Sequence, residues 1–343
     1  MKHDWEYKKI KDVCTKGSSN LQQNKIVELT GDYPVFGASG FVQNIDTYQQ
    51  ERPYIGIVKD GSGVGRVNTY PAKSSLLGTM QYIIPNNNIN LGYVAYCLQS
   101  LKLSKFASGA AIPHIYFRDY GETYIPVPPL PVQEDICSLL DKMNRVIEAK
   151  KEQLKELDNL AQAIFYDMFG DPITNNKGWN VAKVIDVVKL QRGYDLPVQD
   201  RHSEGNIPIY GANGIVGYHT EAKAQYGIIT GRSGSIGDVY MSKIPFWPLN
   251  TSLFSVDTHD NDIVFLMYLI RNYDLLRFKQ GAGVPTLNRN SFHQNDIIDV
   301  PLHLQQAFAE KVQAIERQKE LINQSIKDVQ TLFDAKMDYY FGD

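Results

Sequence analysis

Two kinds of hydrophobic pattern alternate along this 343-residue chain. The first is short and β-like. Runs such as YIGIV (54–58), QYIIP (81–85), YGIIT (226–230) and LFSV (253–256) stand between clusters of Gly, Asn, Asp and Pro, which punctuate strands. Helix-like stretches, LGYVAYCLQSL (91–101) and DIVFLMYLIRNYDLL (262–276), lie among them. The second kind is long and helical. Ile136, Leu140, Met143, Ile147, Leu154, Leu157, Ala161, Ile164 and Met168 step by four and three, skipping only Lys150. That is a heptad seam worth about 50 Å of helix. Phe308, Val312, Ile315, Ile322, Ile326, Val329, Phe333 and Tyr340 repeat the register, interrupted by Lys319 and Lys336. Gly170 suits a left-handed position just past the first helix, and Asp171-Pro172 cannot continue it.

The two seams belong to a duplication. DYPVFGASGFV (32–42) aligns with NIPIYGANGIV (206–216), GAAIPHI (109–115) with GAGVPTL (281–287), and PLPVQEDI (129–136) with PLHLQQAF (301–308). Trp5 meets Trp179, and Phe-Gly-Asp at 169–171 meets Phe-Gly-Asp at 341–343. The offset stays between 171 and 174, so the chain is one unit written twice. The expected organisation is a mixed domain over 1–132, a helical spacer over 133–170, a second domain over 171–304 and a second spacer over 305–343. The fold class is α/β (α+β): two pseudo-symmetric mixed globular domains separated by two long antiparallel coiled-coil helices. Paired in that way, the helices place the domains at opposite ends.

Composition narrows the function. No run approaches eighteen uninterrupted apolar residues, so no membrane span is expected. MKHDWEYKKIKD lacks the apolar core of a signal peptide, and Cys14, Cys97 and Cys137 form no disulfide framework or metal site. A cytoplasmic location is expected. The net charge of −3 is unevenly spread: +3 over 1–130 and −3 over 131–170, then −1 over 171–302 and −2 over 303–343. The acid sits on the helices, and the first globular domain is mildly basic.

A search for catalytic chemistry finds little. KDGSGVGR (59–66) and TGRSGSIGD (230–238) are glycine-rich but lack the Gly-Lys-Ser/Thr ending of a phosphate loop. FGASG (36–40) has the wrong glycine spacing for a methyltransferase cofactor loop, and no Asn/Asp-Pro-Pro-Tyr/Phe motif occurs. The seven histidines have no metal spacing. No catalytic residue and no metal ligand is assigned. The glycines serve either turn geometry alone or close approach of the backbone to a ligand surface. Basic and amide side chains on such loops suit phosphate contact and base-edge readout. The candidates are Lys59, Ser62, Arg66, Lys105, His114 and Arg118 in the first copy. In the second they are Asn213, Arg232, Ser233, Lys279, Asn288 and Arg289.

Two halves, each β-rich and ending in PPLPVQE or VPLHLQQ, then a long helix, then FGDP followed by Gly178-Trp179, resemble the specificity subunit of type I restriction-modification systems. The resemblance covers essentially the whole chain. His303 departs from it by replacing a proline of the Pro-Leu-Pro run. It implies a non-catalytic DNA-binding subunit whose two target-recognition domains each read half of a bipartite, asymmetric site in double-stranded DNA. It also implies two docked modification (methyltransferase) subunits, which bind S-adenosylmethionine, and restriction subunits that join them. No cofactor is expected in this chain. A different class of protein, a coiled-coil adaptor with duplicated protein- or carbohydrate-binding domains, fits the repeat and the seams alone.

Overall fold

The computed structural model describes residues 4–109, 112–201, 205–281, 283 and 285–342. The chain divides into two compact units, residues 1–151 with 324–343, and residues 152–323. Each holds a sequence-continuous globular region and a segment of both long helices, Leu130–Phe169 and Leu302–Phe341.

The units repeat one topology. In the first, Cys14–Ser18, Met80–Pro85, Tyr54–Val58 and Val67–Tyr70 form an antiparallel sheet in that spatial order. In the second, Lys189–Arg192, Ser252–Asp257, Gly227–Gly231 and Val239–Ser242 do the same. A three-stranded sheet accompanies each, built on the hairpins Tyr33–Gly37/Gly40–Ile45 and Ile207–Gly211/Gly214–His219. All five residues of YIGIV and of Gly227–Gly231 are buried. That accounts for their uniformly apolar text, since a strand covered on both faces has no polar alternation.

Behind each four-stranded sheet lies a buried helix, Leu91–Ser100 or Ile263–Arg271. Asn90 caps the first by accepting the Tyr93 N–H, and Asp262 caps the second by accepting those of Val264 and Phe265. The second helix is shorter than its apolar pattern. It ends at Arg271; Asp274 then adopts a left-handed φ of 54°, and Leu275–Phe278 continues as a 3₁₀ turn.

The repeated glutamine of PLPVQ and PLHLQ is buried in both copies. Gln133 accepts the Asn90 N–H at 2.9 Å and donates to the Pro128 carbonyl; Gln305 accepts the Asp262 N–H at 2.9 Å and donates to the Val300 carbonyl. Each thereby ties the start of a long helix to the cap of a short one.

Within each unit the long-helix segments run antiparallel. In the second, Asp158 pairs with Lys319, while Phe165 and Phe169, further along, meet Phe308. In the first, Tyr96 bonds Asp141 and rests on Phe333, while Tyr93 meets Phe341 at 5.3 Å. The seam residues Ile136, Leu140, Ile147, Phe308, Val312 and Ile315 are buried. Met143, Leu154, Leu157, Ile164, Ile322, Ile326 and Val329 are half-buried. Phe165 and Phe169, off the heptad seam, are fully buried. There the helix faces a globular core, and a 3.6-residue period replaces the 3.5 of a helix pair. Gly170 has φ 74°, the left-handed geometry expected past the helix. Phe169 packs near Trp179, whose Nε1–H donates to the Phe169 carbonyl at 2.9 Å. Phe341 takes the equivalent place in the first unit's core, so each copy of the Phe-Gly motif closes one core; Asp343 lies outside the described residues.

Candidate nucleic-acid interface

The glycine-rich loops lie at the same ends of the two central strands and are held by the same backbone bonds. In the first unit the N–H groups of Lys59 and Asp60 donate to the Thr79 carbonyl, Gly61 N–H to the Pro113 carbonyl, and Ile115 N–H to that of Lys59. In the second, Arg232 and Ser233 donate to Thr251, Gly234 to Pro285, and Leu287 to Arg232. The structure therefore brings the two glycine-containing loops of each copy together, a pairing that sequence distance concealed. Gly65 (φ 86°) is a close approach as well as a turn: a Cβ there would meet the Ser104 nitrogen at 2.4 Å. Ala110, Ala111, Ala282 and Val284 of these loops lie outside the described residues.

The candidates divide by what else they do. Lys59 and Ser62 sit on the 59–66 loop, with Ser62 exposed. Arg66 is exposed, but its guanidinium folds back on its own turn, with Nε donating to the Gly63 carbonyl at 3.4 Å. His114 Nδ1 bonds the Asp60 carboxylate across the two loops. Its ring lies tilted against Tyr116 at 4.2 Å, and the Arg118 guanidinium lies over Tyr116 at 4.6 Å. Lys105 projects from the 3₁₀ turn that abuts Gly65 and lies over Phe106. Arg118 also pairs with Asp119 at 3.5 Å.

In the second unit Asn213 is exposed at a hairpin tip. Arg232 Nη1 donates to the Asn250 carbonyl at 3.2 Å. Ser233 bridges Thr286, the positions of Asp60 and His114 in the first unit. Lys279 pairs with Leu287 at the base of the loop. Asn288 is spent on structure: it caps the helix Arg289–His293 by accepting the Ser291 N–H, and it donates to Gln280. Arg289 opens that helix, half-buried. Charge-led reading missed Asp60, Thr79 and Thr251, whose signal was their position beside the glycines. Among the described residues no cluster of His, Cys, Asp or Glu is arranged to hold a metal, and no helix is long and apolar enough to cross a membrane. The three cysteines are buried thiols, and burial pushes Cys14 and Cys137 up to about 12.

The chain is therefore a duplicated αβ unit that carries the same loop scaffold twice, with different side chains on each. The family of the type I restriction modification DNA specificity domain matches residues 2–159 and again 176–331, and the chain belongs to it. Two curated relatives from Methanocaldococcus jannaschii are similar. The MjaIX type I restriction enzyme specificity subunit is 24% identical over 241 residues, 59% of this chain and 55% of that protein. The MjaVIII specificity subunit is 25% identical over 219 residues, 55% and 50% of the two. The matched region spans about half the length of these relatives. The fold is also that of the type I restriction-modification S subunit from M. genitalium, with a TM-score of 0.65 and 16% identity over 99% of this chain and 96% of that one. A chain solved in work on complex assembly and conformational transition of the type I R-M system scores 0.60 at 14% identity, covering 98% and 97%.

Proposed function

We propose that this chain is the DNA-sequence specificity subunit of a type I restriction-modification complex, with each unit reading one half of a bipartite, asymmetric site. The observation that carries the reading is the loop face repeated bond for bond with changed side chains: Lys59, Asp60 and His114 against Arg232, Ser233 and Thr286. Equal scaffolds hold equal positions over DNA, and unequal side chains read unequal half-sites. The long helices hold two adenine methyltransferase subunits, and restriction subunits join through them. The methyltransferase subunits bind S-adenosylmethionine and take the flipped adenine into their own pockets. No residue of this chain is assigned to the cofactor, and the chain alone neither methylates nor cuts DNA.

The test is methylome sequencing of a host carrying the modification subunits, with and without this chain. A gapped, two-part adenine motif that depends on the chain is expected; a continuous motif, or none, overturns the reading. In the assembled complex, Lys59→Ala and Arg232→Ala weaken binding. A residue that touches only phosphate lowers the salt slope by about one, whereas a base reader relaxes one position of one half-site.

A further inference from the structure

We propose that a cleft in the first unit reads an adenine–thymine pair of its half-site through side-chain amides. This rests on the reading that the unit binds DNA. The cleft has a volume of about 950 Å³ and lies where residues 19–24 face the hairpin tip 37–42 and the turn 77–79. None of its lining residues is charged. A phosphate site calls for Lys or Arg, so the chemistry here suits a neutral ligand with hydrogen-bonding edges. Asn20, Gln22, Gln23 and Asn24 stand exposed on one wall. A side-chain amide carries a donor and an acceptor side by side, the complement of N6 and N7 of adenine in the major groove. On the other wall Phe41 is 62% exposed, an apolar surface that matches the methyl group of thymine.

The wall that carries the amides is braced beneath them by packing and hydrogen bonds. Ile26, Val35, Ile45 and Leu77 form a small buried core of their own. The Gln43 amide donates to the carbonyls of Ile26 and Leu29, Ser19 Oγ accepts the Leu21 N–H, and Gly78 N–H donates to the Leu21 carbonyl at 2.7 Å. The backbone is therefore set before any ligand arrives, which lowers the ordering cost of binding. Thr79 lines the cleft and also holds the N–H groups of Lys59 and Asp60, so phosphate-suited and base-suited groups adjoin. The second unit lacks the amide row. Its corresponding stretch, GYDLPV (193–198), carries no side-chain amide and one carboxylate, Asp195, which pairs with Arg192 and accepts from Asn250.

The experiment uses the complex with its modification subunits and single substitutions Asn20→Ala, Gln22→Ala, Gln23→Ala, Asn24→Ala and Phe41→Ala. Each is followed by methylome sequencing and by binding to duplexes in which every pair of the first half-site is replaced in turn. At least one amide variant is expected to lose about tenfold to a hundredfold discrimination at one A·T position, with the second half-site read unchanged. Continued reading of the other positions of the first half-site reports that the mutated unit has folded. The matching Gln→Glu or Asn→Asp change is expected to shift the same position toward cytosine, whose N4 amino group donates to a carboxylate. Unchanged motif and affinity in every variant, or an equal loss on all sequences, discards the cleft while leaving the two-part reading in place. A wild-type complex that marks no two-part motif discards both.

Discussion

His293 is buried, and its Nε2 accepts the Leu190 N–H at 3.0 Å. Burial, then the charges of Arg289 and Lys189, hold the imidazole below its ordinary value of 6.5. A group depressed in the folded state contributes stability that is fully present above the unfolded value and is lost as pH falls through the folded one. The second unit should thus weaken as pH drops below about 6.5. His293→Gln keeps an acceptor for Leu190 but cannot titrate. Melting temperatures at neutral and mildly acidic pH should fall less for this variant than for the wild type; an equal fall removes His293 from the account. At this scale the sequence located basic loop residues but not their competing duties. Asn288 reads in sequence as a loop contact although Asn is a favoured helix cap, and nothing local marked Arg66 as folded onto Gly63.

The long helices carry most of what was legible at the scale of elements. Their period, lengths and repeat were written along the chain, and both helices formed. Their most deeply packed residues were less legible. Phe165 sits between Phe169, Phe265, Tyr268 and Phe308 at centroid distances of 5.3 to 6.3 Å. Phe165→Ala should cost about 3–5 kcal/mol by chemical denaturation. Val146→Ala, on the exposed side of the same helix, should stay within about 0.5 kcal/mol. Equal costs would mean that the aromatic cluster does not hold the helix to its unit.

Each long helix passes from one unit into the other, the first at 151/152 and the second at 323/324. Because each unit grips both helices, an insertion in one alone mismatches the two crossings. Four residues added at both crossings nearly complete a helical turn and lengthen each helix by about 6 Å, close to two base pairs. If the helices set the spacing, the gap between half-sites grows by about one or two base pairs while the half-sites stay the same. Methylome sequencing of the doubly extended chain decides this; an unchanged gap in an active complex, or altered half-sites, rules the helices out as the spacer.

The duplication, the two seams and the strand runs could be read from the chain because each is a local period or a repeated word, and local patterns need no knowledge of what lies opposite. The Phe-Gly repeat was visible too, yet its use was not. Phe341 closes a core begun more than three hundred residues earlier, beside Tyr93. The pairing of the 59–66 loop with residues 113–115 is decided likewise by sheet order. The amide cleft follows the same rule. Asn20, Gln22, Gln23 and Asn24 are ordinary polar residues in sequence, and only packing against the hairpin and the 77–79 turn gathers them around one space. Burial and long-range hydrogen bonding choose among the many partners that a linear pattern allows.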